Sequence, residues 1–263
     1  GLPQGSPLSP LLSNILLHEL DKELNKKGLK FVRYADDFSI FTKTATQAKS
    51  VKKEVAQFLK TKLRLIINEE KSGIKKPVQF SMLGFRFVPT YIKGDKGKYQ
   101  LTVDEKAWIR LKQKLKSITR KTSPLTFAER ISKINEVQRG WLNYFRGTSI
   151  HGKLRDVDSW LRNRLRYCIW HDWKKPERKR KNLIRLGVDN DHAYAWSRTR
   201  KGGWAVAQSP ILVTTITLKR LKQKGYDSLL DVYFELNPCL HGAGRLPVLC
   251  EPPNTRPAWF ILS

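Results

Sequence analysis

Apolar and polar residues recur along this chain with two different periods, and the change between them divides it. Up to residue 103 helical and strand patterns mix. Leu12, Ile15, Leu16, Leu20 and Leu24 fall at the spacing of one helix face, opened by Ser9-Pro10 as a hydroxyl N-cap with proline at the first helical position, and ended by Gly28. Phe31 to Phe41 reads as two short strands around a tight turn carrying Asp36 and Asp37, with the first helix packed beneath. A second helix opens at Thr44 or Thr46 and buries Ala48, Val51, Val55, Phe58 and Leu59. A strand near Leu65 to Ile67 and a hairpin around Gln79 to Val88 complete an α+β region.

From Asp104 onward the pattern is helical alone. Trp108, Leu111, Leu115 and Ile118 mark one helix. Thr126 and Glu129 form a capping box for a second, with Ile131, Ile134, Trp141, Leu142 and Phe145 on its inner stripe, and Val157, Trp160, Leu161, Leu165 and Ile169 mark a third. The expected division is therefore 1–103 mixed, 104–236 an all-α bundle, and 237–263 a proline-rich, irregular tail.

Charge sharpens this picture. The formal net charge is +28 over 263 residues, with a pI near 10.2, which points to a polyanionic partner, nucleic acid before membrane surface. Residues 104–186 hold 23 basic against 8 acidic side chains, an excess of one sign rather than the alternation of a merely solvated face. No run of eighteen apolar residues suggests a membrane span, and no secretory leader pattern is present. Three cysteines without a CxxC fit a reduced, cytoplasmic setting and supply no four-ligand zinc set at familiar spacing.

Two adjacent carboxylates repel, and a hard divalent cation relieves that repulsion. Mg²⁺ suits it, because that ion takes one or two carboxylates and completes its octahedron with waters and substrate phosphates. An Asp-Asp pair alone is an ordinary turn, so its surroundings decide. Gly1-Leu2-Pro3-Gln4-Gly5-Ser6-Pro7-Leu8-Ser9-Pro10 precedes Phe31-Val32-Arg33-Tyr34-Ala35-Asp36-Asp37; Asn68-Glu69-Glu70-Lys71-Ser72-Gly73-Ile74 and Met82-Leu83-Gly84-Phe85 follow. In this order and spacing the stretches resemble the palm motifs of reverse transcriptases, most closely those encoded by group II introns. Trp141-Leu142-Asn143-Tyr144-Phe145-Arg146-Gly147, with the helices to Asn237, resembles the thumb or X domain of intron-encoded maturases, though more loosely.

The resemblance implies a partial palm followed by a helical thumb, and an RNA-directed DNA polymerase that also assists group II intron splicing. Its partners would be intron RNA, a DNA target or primer, and deoxynucleoside triphosphates. It implies that Asp36 and Asp37 hold Mg²⁺ ions in a two-metal site, that Lys71 assists the leaving pyrophosphate, and that Gln4, Gly5 and Ala35 border the nucleotide. Tyr34 and the turn Leu83-Gly84-Phe85 would hold the primer. Arg139, Arg146 and the run Arg178-Lys179-Arg180-Lys181 are the candidate RNA contacts, although a plain solvated face accounts for that run as well, and a surface lysine for Lys71. The family pattern also requires a further aspartate on a strand before Gln4. With glycine first and Met82 the only methionine, a longer protein is expected, and this chain by itself is expected not to polymerise. The competing reading is an RNA-binding splicing factor that keeps the palm as scaffold. A reverse transcriptase of another retroelement or defence system is a third.

Overall fold

The computed structural model describes residues 8–68, 72–89, 99–238 and 259–262. Gln4, Gly5 and Lys71 lie outside them. The chain forms two compact units, Gly1–Thr102 with Cys250–Ser263, and Val103–Leu249.

In the first unit, helix α1 (Ser9–Lys26) leads into strands β1 (Lys30–Tyr34) and β2 (Asp37–Thr42), helix α2 (Ala45–Phe58), and short strands β3 (Ile74–Lys75), β4 (Ser81–Met82), β5 (Phe85–Pro89) and β6 (Tyr99–Val103). Helix α1 ends in a Schellman motif: Gly28, at φ +65°, donates its N–H to the Asn25 carbonyl at 2.9 Å, and Leu29 donates to Leu24 at 3.1 Å. Its start differs from expectation. Leu8 occupies the cap position without a side-chain bond, and Ser9 already lies in the helix. Helix α2 is capped by Thr44, whose hydroxyl accepts from the Gln47 N–H at 3.2 Å.

Leu17, Leu20 and Leu24 of α1, Phe38 and Ile40 of β2, Ala48, Val51 and Val55 of α2, and Leu59 make one buried cluster. Each buried Leu or Ile contributes about 1.5–3 kcal/mol relative to exposure, so these side chains fix how the hairpin sits on both helices. Leu12, Ile15 and Leu16, expected inside, are exposed. Leu11, Leu12, Ile15, Leu16 and Leu17 spread around much of α1, and the buried face is the one carrying Leu17, Leu20 and Leu24.

The strand expected at Leu65–Ile67 is not formed; Ile66 is 93% exposed. After a π-helical turn at Leu59–Leu63, Arg64 takes φ +53° and turns the chain away. The sheet's order is β1-β2-β7-β3, where β7 (Trp259–Leu262) pairs antiparallel with both neighbours, Ile261 standing opposite Ile40 and Ile74. This strand lies in the segment that composition marks as irregular. A continuous Trp-Phe-Ile-Leu run suits a central strand, and four residues are too few to show a period. A separate sheet holds β4, β5 and β6.

The second unit is helical: α3 (Glu105–Ile118), α4 (Phe127–Phe145), α5 (His151–Asp172), α6 (Pro176–Arg185), α7 (Asn190–Ser197), α8 (Gly203–Gln208), α9 (Pro210–Val213), α10 (Leu218–Gln223) and α11 (Leu229–Leu236). The Thr126–Glu129 capping box is present. Trp108, Leu111, Leu115, Ile131, Ile134, Leu142, Val157, Leu161 and Leu165 are buried as their periodicity requires. Trp108, Trp141 and Phe145 stack in succession with ring centroids 4.7 Å apart. At the centre of α5, buried Asp158 accepts hydrogen bonds from the Tyr226 hydroxyl at 2.8 Å and the Leu229 N–H at 3.0 Å, and pairs with Arg162 at 3.1 Å. That carboxylate fastens the chain between α10 and α11 onto α5.

Candidate functional site

Tyr34 pairs with Asp37 across β1 and β2, so Ala35 and Asp36 form a two-residue hairpin loop, and both aspartates stand exposed at its tip. Two-residue loops need a positive φ at their first central residue to match strand twist. Ala35 supplies it at φ +55°, a conformation that costs a residue with a Cβ about 1–2 kcal/mol. Strain of this kind persists only where neighbours over-determine the turn.

Arg33 does so. Its guanidinium makes a two-point contact with Asp21 of α1, at 2.9 Å from Nε and 2.6 Å from Nη2, while Nη1 donates to Asn14 Oδ1 at 2.8 Å and to the Ala35 carbonyl at 3.0 Å. The Arg33 side chain is only 14% exposed, and the hydrogen bond it donates to Asp21 raises its pKa further. A rigid fork thus ties the aspartate turn to α1. Sequence reasoning missed Arg33, Asp21 and Asn14; an arginine alternating with Val32 and Tyr34 on a strand looks like a solvent-facing residue.

The turn Leu83-Gly84 joins β4 to β5 with φ +54° and +83°, both central residues left-handed, as a type I′ hairpin demands. Its hairpin lies next to the aspartate hairpin: Ser39 Oγ of β2 is 3.7 Å from Met82 Sδ. The fold therefore brings Tyr34, Ala35, Asp36 and Asp37 together in one turn and sets Leu83, Gly84 and Phe85 on the neighbouring hairpin. Leu83 and Tyr34 are exposed, and Phe85 is half-buried.

Two exposed carboxylates at a turn are hard oxygen donors that fit a single Mg²⁺. Among the described residues no group of three His, Cys, Asp or Glu side chains could hold a metal.

The candidate RNA residues of the second unit divide. Lys179 lies over the Trp170 ring at 4.4 Å, and burial there pulls its pKa down. Arg180 donates to Asn190 Oδ1 at 2.7 Å and covers Tyr194 at 5.6 Å; Arg198 covers the same ring at 3.9 Å. Arg139 pairs with Asp227 at 2.9 Å. Arg146, Arg178 and Lys181 are exposed. The basic run is thus half packing and half outward charge. No helix among the described residues is long and apolar enough to cross a membrane.

Residues 1–87 match the reverse transcriptase (RNA-dependent DNA polymerase) family, and residues 109–187 match the group II intron maturase-specific domain. Protein YkfC of Escherichia coli (strain K12) is 29% identical over 34% of this chain and 32% of its own length. The chain thus spans about a third of that relative.

Proposed function

The chain belongs to the group II intron reverse transcriptases and maturases, and on that premise we propose that it supplies the metal-binding turn and the RNA-binding helical domain of an RNA-directed DNA polymerase that also assists intron splicing. One observation carries the reading: Asp36 and Asp37 stand exposed on a strained turn held to α1 by Arg33, ahead of a strongly basic helical unit.

In this reading Asp36 and Asp37 hold a divalent ion by their carboxylate oxygens. Reverse transcriptases use such ions, and the bound ion supplies charge neutralisation for substrate phosphates and lowers the pKa of the attacking hydroxyl. Arg33 fixes the turn against α1, so the residues that carry both carboxylates are held in place before the reaction begins. Tyr34 braces the primer terminus. The tight Leu83-Gly84 turn lets the primer backbone approach closely, since glycine carries no Cβ. Gln4, Gly5 and Ala35 border the nucleotide, and Lys71 assists the leaving group. A further metal ligand would come from outside the described residues.

The alternative is a non-catalytic RNA-binding splicing factor that keeps the palm as scaffold. Extension of a DNA primer on an RNA template by a protein containing this chain together with an upstream aspartate strand separates the readings. Incorporation that depends on Asp36 supports the polymerase. Structured-RNA binding without incorporation supports the scaffold.

A further inference from the structure

Helix α7 carries two aromatic side chains on one face, His192 and Trp196, one turn apart, with ring centroids separated by 5.5 Å. They line a cavity of about 530 Å³ that opens to the surface. The lining also includes Thr214, Thr215 and Thr217 from the segment between α9 and α10, and Arg220 of α10. The size lies within the range of small-ligand sites, which is about 300–1,000 Å³.

The lining combines three chemistries. Arg220 is anchored by a hydrogen bond from Nη1 to the Thr215 carbonyl, which leaves the other guanidinium N–H groups as donors for an anion. Asp189 caps α7, accepting from the His192 N–H at 2.9 Å and from its Nδ1 at 2.7 Å. These bonds hold the Asp189 carboxyl below its ordinary pKa, so it remains an acceptor. His192 and Trp196 supply the aromatic part. A ligand that suits all three parts has a flat ring, donor groups on one edge, and a phosphate on the other side. The chain around the cavity selects a polyanion as the source: residues 185–224 hold eight basic against two acidic side chains.

We propose that this cavity takes one unstacked nucleotide of a single-stranded RNA segment, its base against Trp196 and its phosphate toward Arg220. The inference rests on the RNA-binding reading above and deepens it. Single-stranded segments are where proteins read RNA, because their bases are free to leave the stack and lie on aromatic side chains. The site is formed almost wholly by residues beyond 187, where the maturase-specific match ends. It differs in kind from the cation-covered rings elsewhere in this unit. Tyr194 is already covered by Arg180 and Arg198, whereas Trp196 lines the cavity beside His192.

The test is fluorescence anisotropy with a labelled single-stranded RNA of about ten nucleotides, alongside the same sequence annealed into a duplex. Wild-type protein is compared with Trp196→Ala, Trp196→Phe and Arg220→Gln, each checked by circular dichroism and thermal midpoint. Trp196→Ala is expected to weaken single-strand binding at least about fivefold, the low end of the loss of one stacked base. Trp196→Phe should restore most of it, Arg220→Gln should weaken it comparably, and duplex binding should stay within about twofold. Should Trp196→Ala not fold, Trp196→Phe and Arg220→Gln decide alone. Arg220→Gln binding single strands as wild type does would overturn the proposal, as would equal losses on duplex and single strand. A wild-type chain that binds neither RNA would instead refute the underlying RNA-binding reading.

Discussion

Replacing Asp158 by alanine should cost the helical unit about 3–4 kcal/mol. The carboxylate is 1% exposed and satisfies two donors that are themselves buried, the Tyr226 hydroxyl and the Leu229 N–H. Each buried donor left without an acceptor costs about 1–3 kcal/mol. Arg162, whose side chain is 24% exposed, turns to water and adds less. Asp158→Asn keeps an oxygen for both donors and loses only the charge facing Arg162, so it should cost about 1 kcal/mol. Urea unfolding followed by circular dichroism reads the difference, and at slopes usual for small proteins the alanine variant's midpoint should fall by about 1 M or more. The mechanism has its own check in a double-mutant cycle. Tyr226→Phe removes one of the stranded donors, so Asp158→Ala with Tyr226→Phe should cost less than the sum of the single variants by about 1 kcal/mol or more. A loss under about 1 kcal/mol for Asp158→Ala, or strict additivity in the cycle, would refute the view that this carboxylate pins α11 to α5.

Stability should also fall on the alkaline side: burial raises the pKa of Tyr226 well above 10.0 and that of Tyr233 to a lesser degree, so their contribution is complete below pH about 10 and is lost above it as the unfolded chain ionises first. Unfolding midpoints between pH 8 and 11 check this, and Tyr226→Phe should flatten the decline. Arg178→Gln and Lys181→Gln should each lower the salt slope of RNA binding by about 1 without shifting the thermal midpoint. Lys179→Ala should instead lower the midpoint, because its stem covers Trp170. Arg33→Lys should cut primer extension by the completed enzyme at least about tenfold with RNA affinity unchanged, since an ammonium cannot span Asp21, Asn14 and the Ala35 carbonyl in one geometry; equal activity would show the turn holds itself.

What the sequence made legible follows from how local each signal is. The aspartate hairpin, the Thr44 cap, the Thr126–Glu129 box and the stripes of α2 to α5 depend on neighbours within a turn or two, and they appear where their patterns place them. The inner face of α1 was not legible, because Leu11, Leu12, Ile15, Leu16 and Leu17 clothe most of its circumference and only contact with β2 chooses among them. Leu65–Ile67 has strand composition but no ladder partner, whereas Ile74–Lys75 gains one from a strand nearly two hundred residues away. At the site, the aspartates and the Leu83-Gly84 turn were readable as motifs. The Arg33 brace and the α7 cavity were not, since both arise from residues brought together by tertiary folding.

The most direct test of the account is to place Asp36→Asn with Asp37→Asn in the completed protein and to measure primer extension and intron RNA affinity on one preparation. Asparagine keeps the turn's size and hydrogen-bonding groups while removing the charge that holds Mg²⁺. DNA synthesis should vanish while RNA affinity is kept or slightly raised, because two negative charges are removed from a strongly basic protein. Synthesis near the original rate would contradict the assignment of the two aspartates, and RNA affinity falling in step with synthesis would contradict the separation of the polymerase turn from the RNA-binding surface.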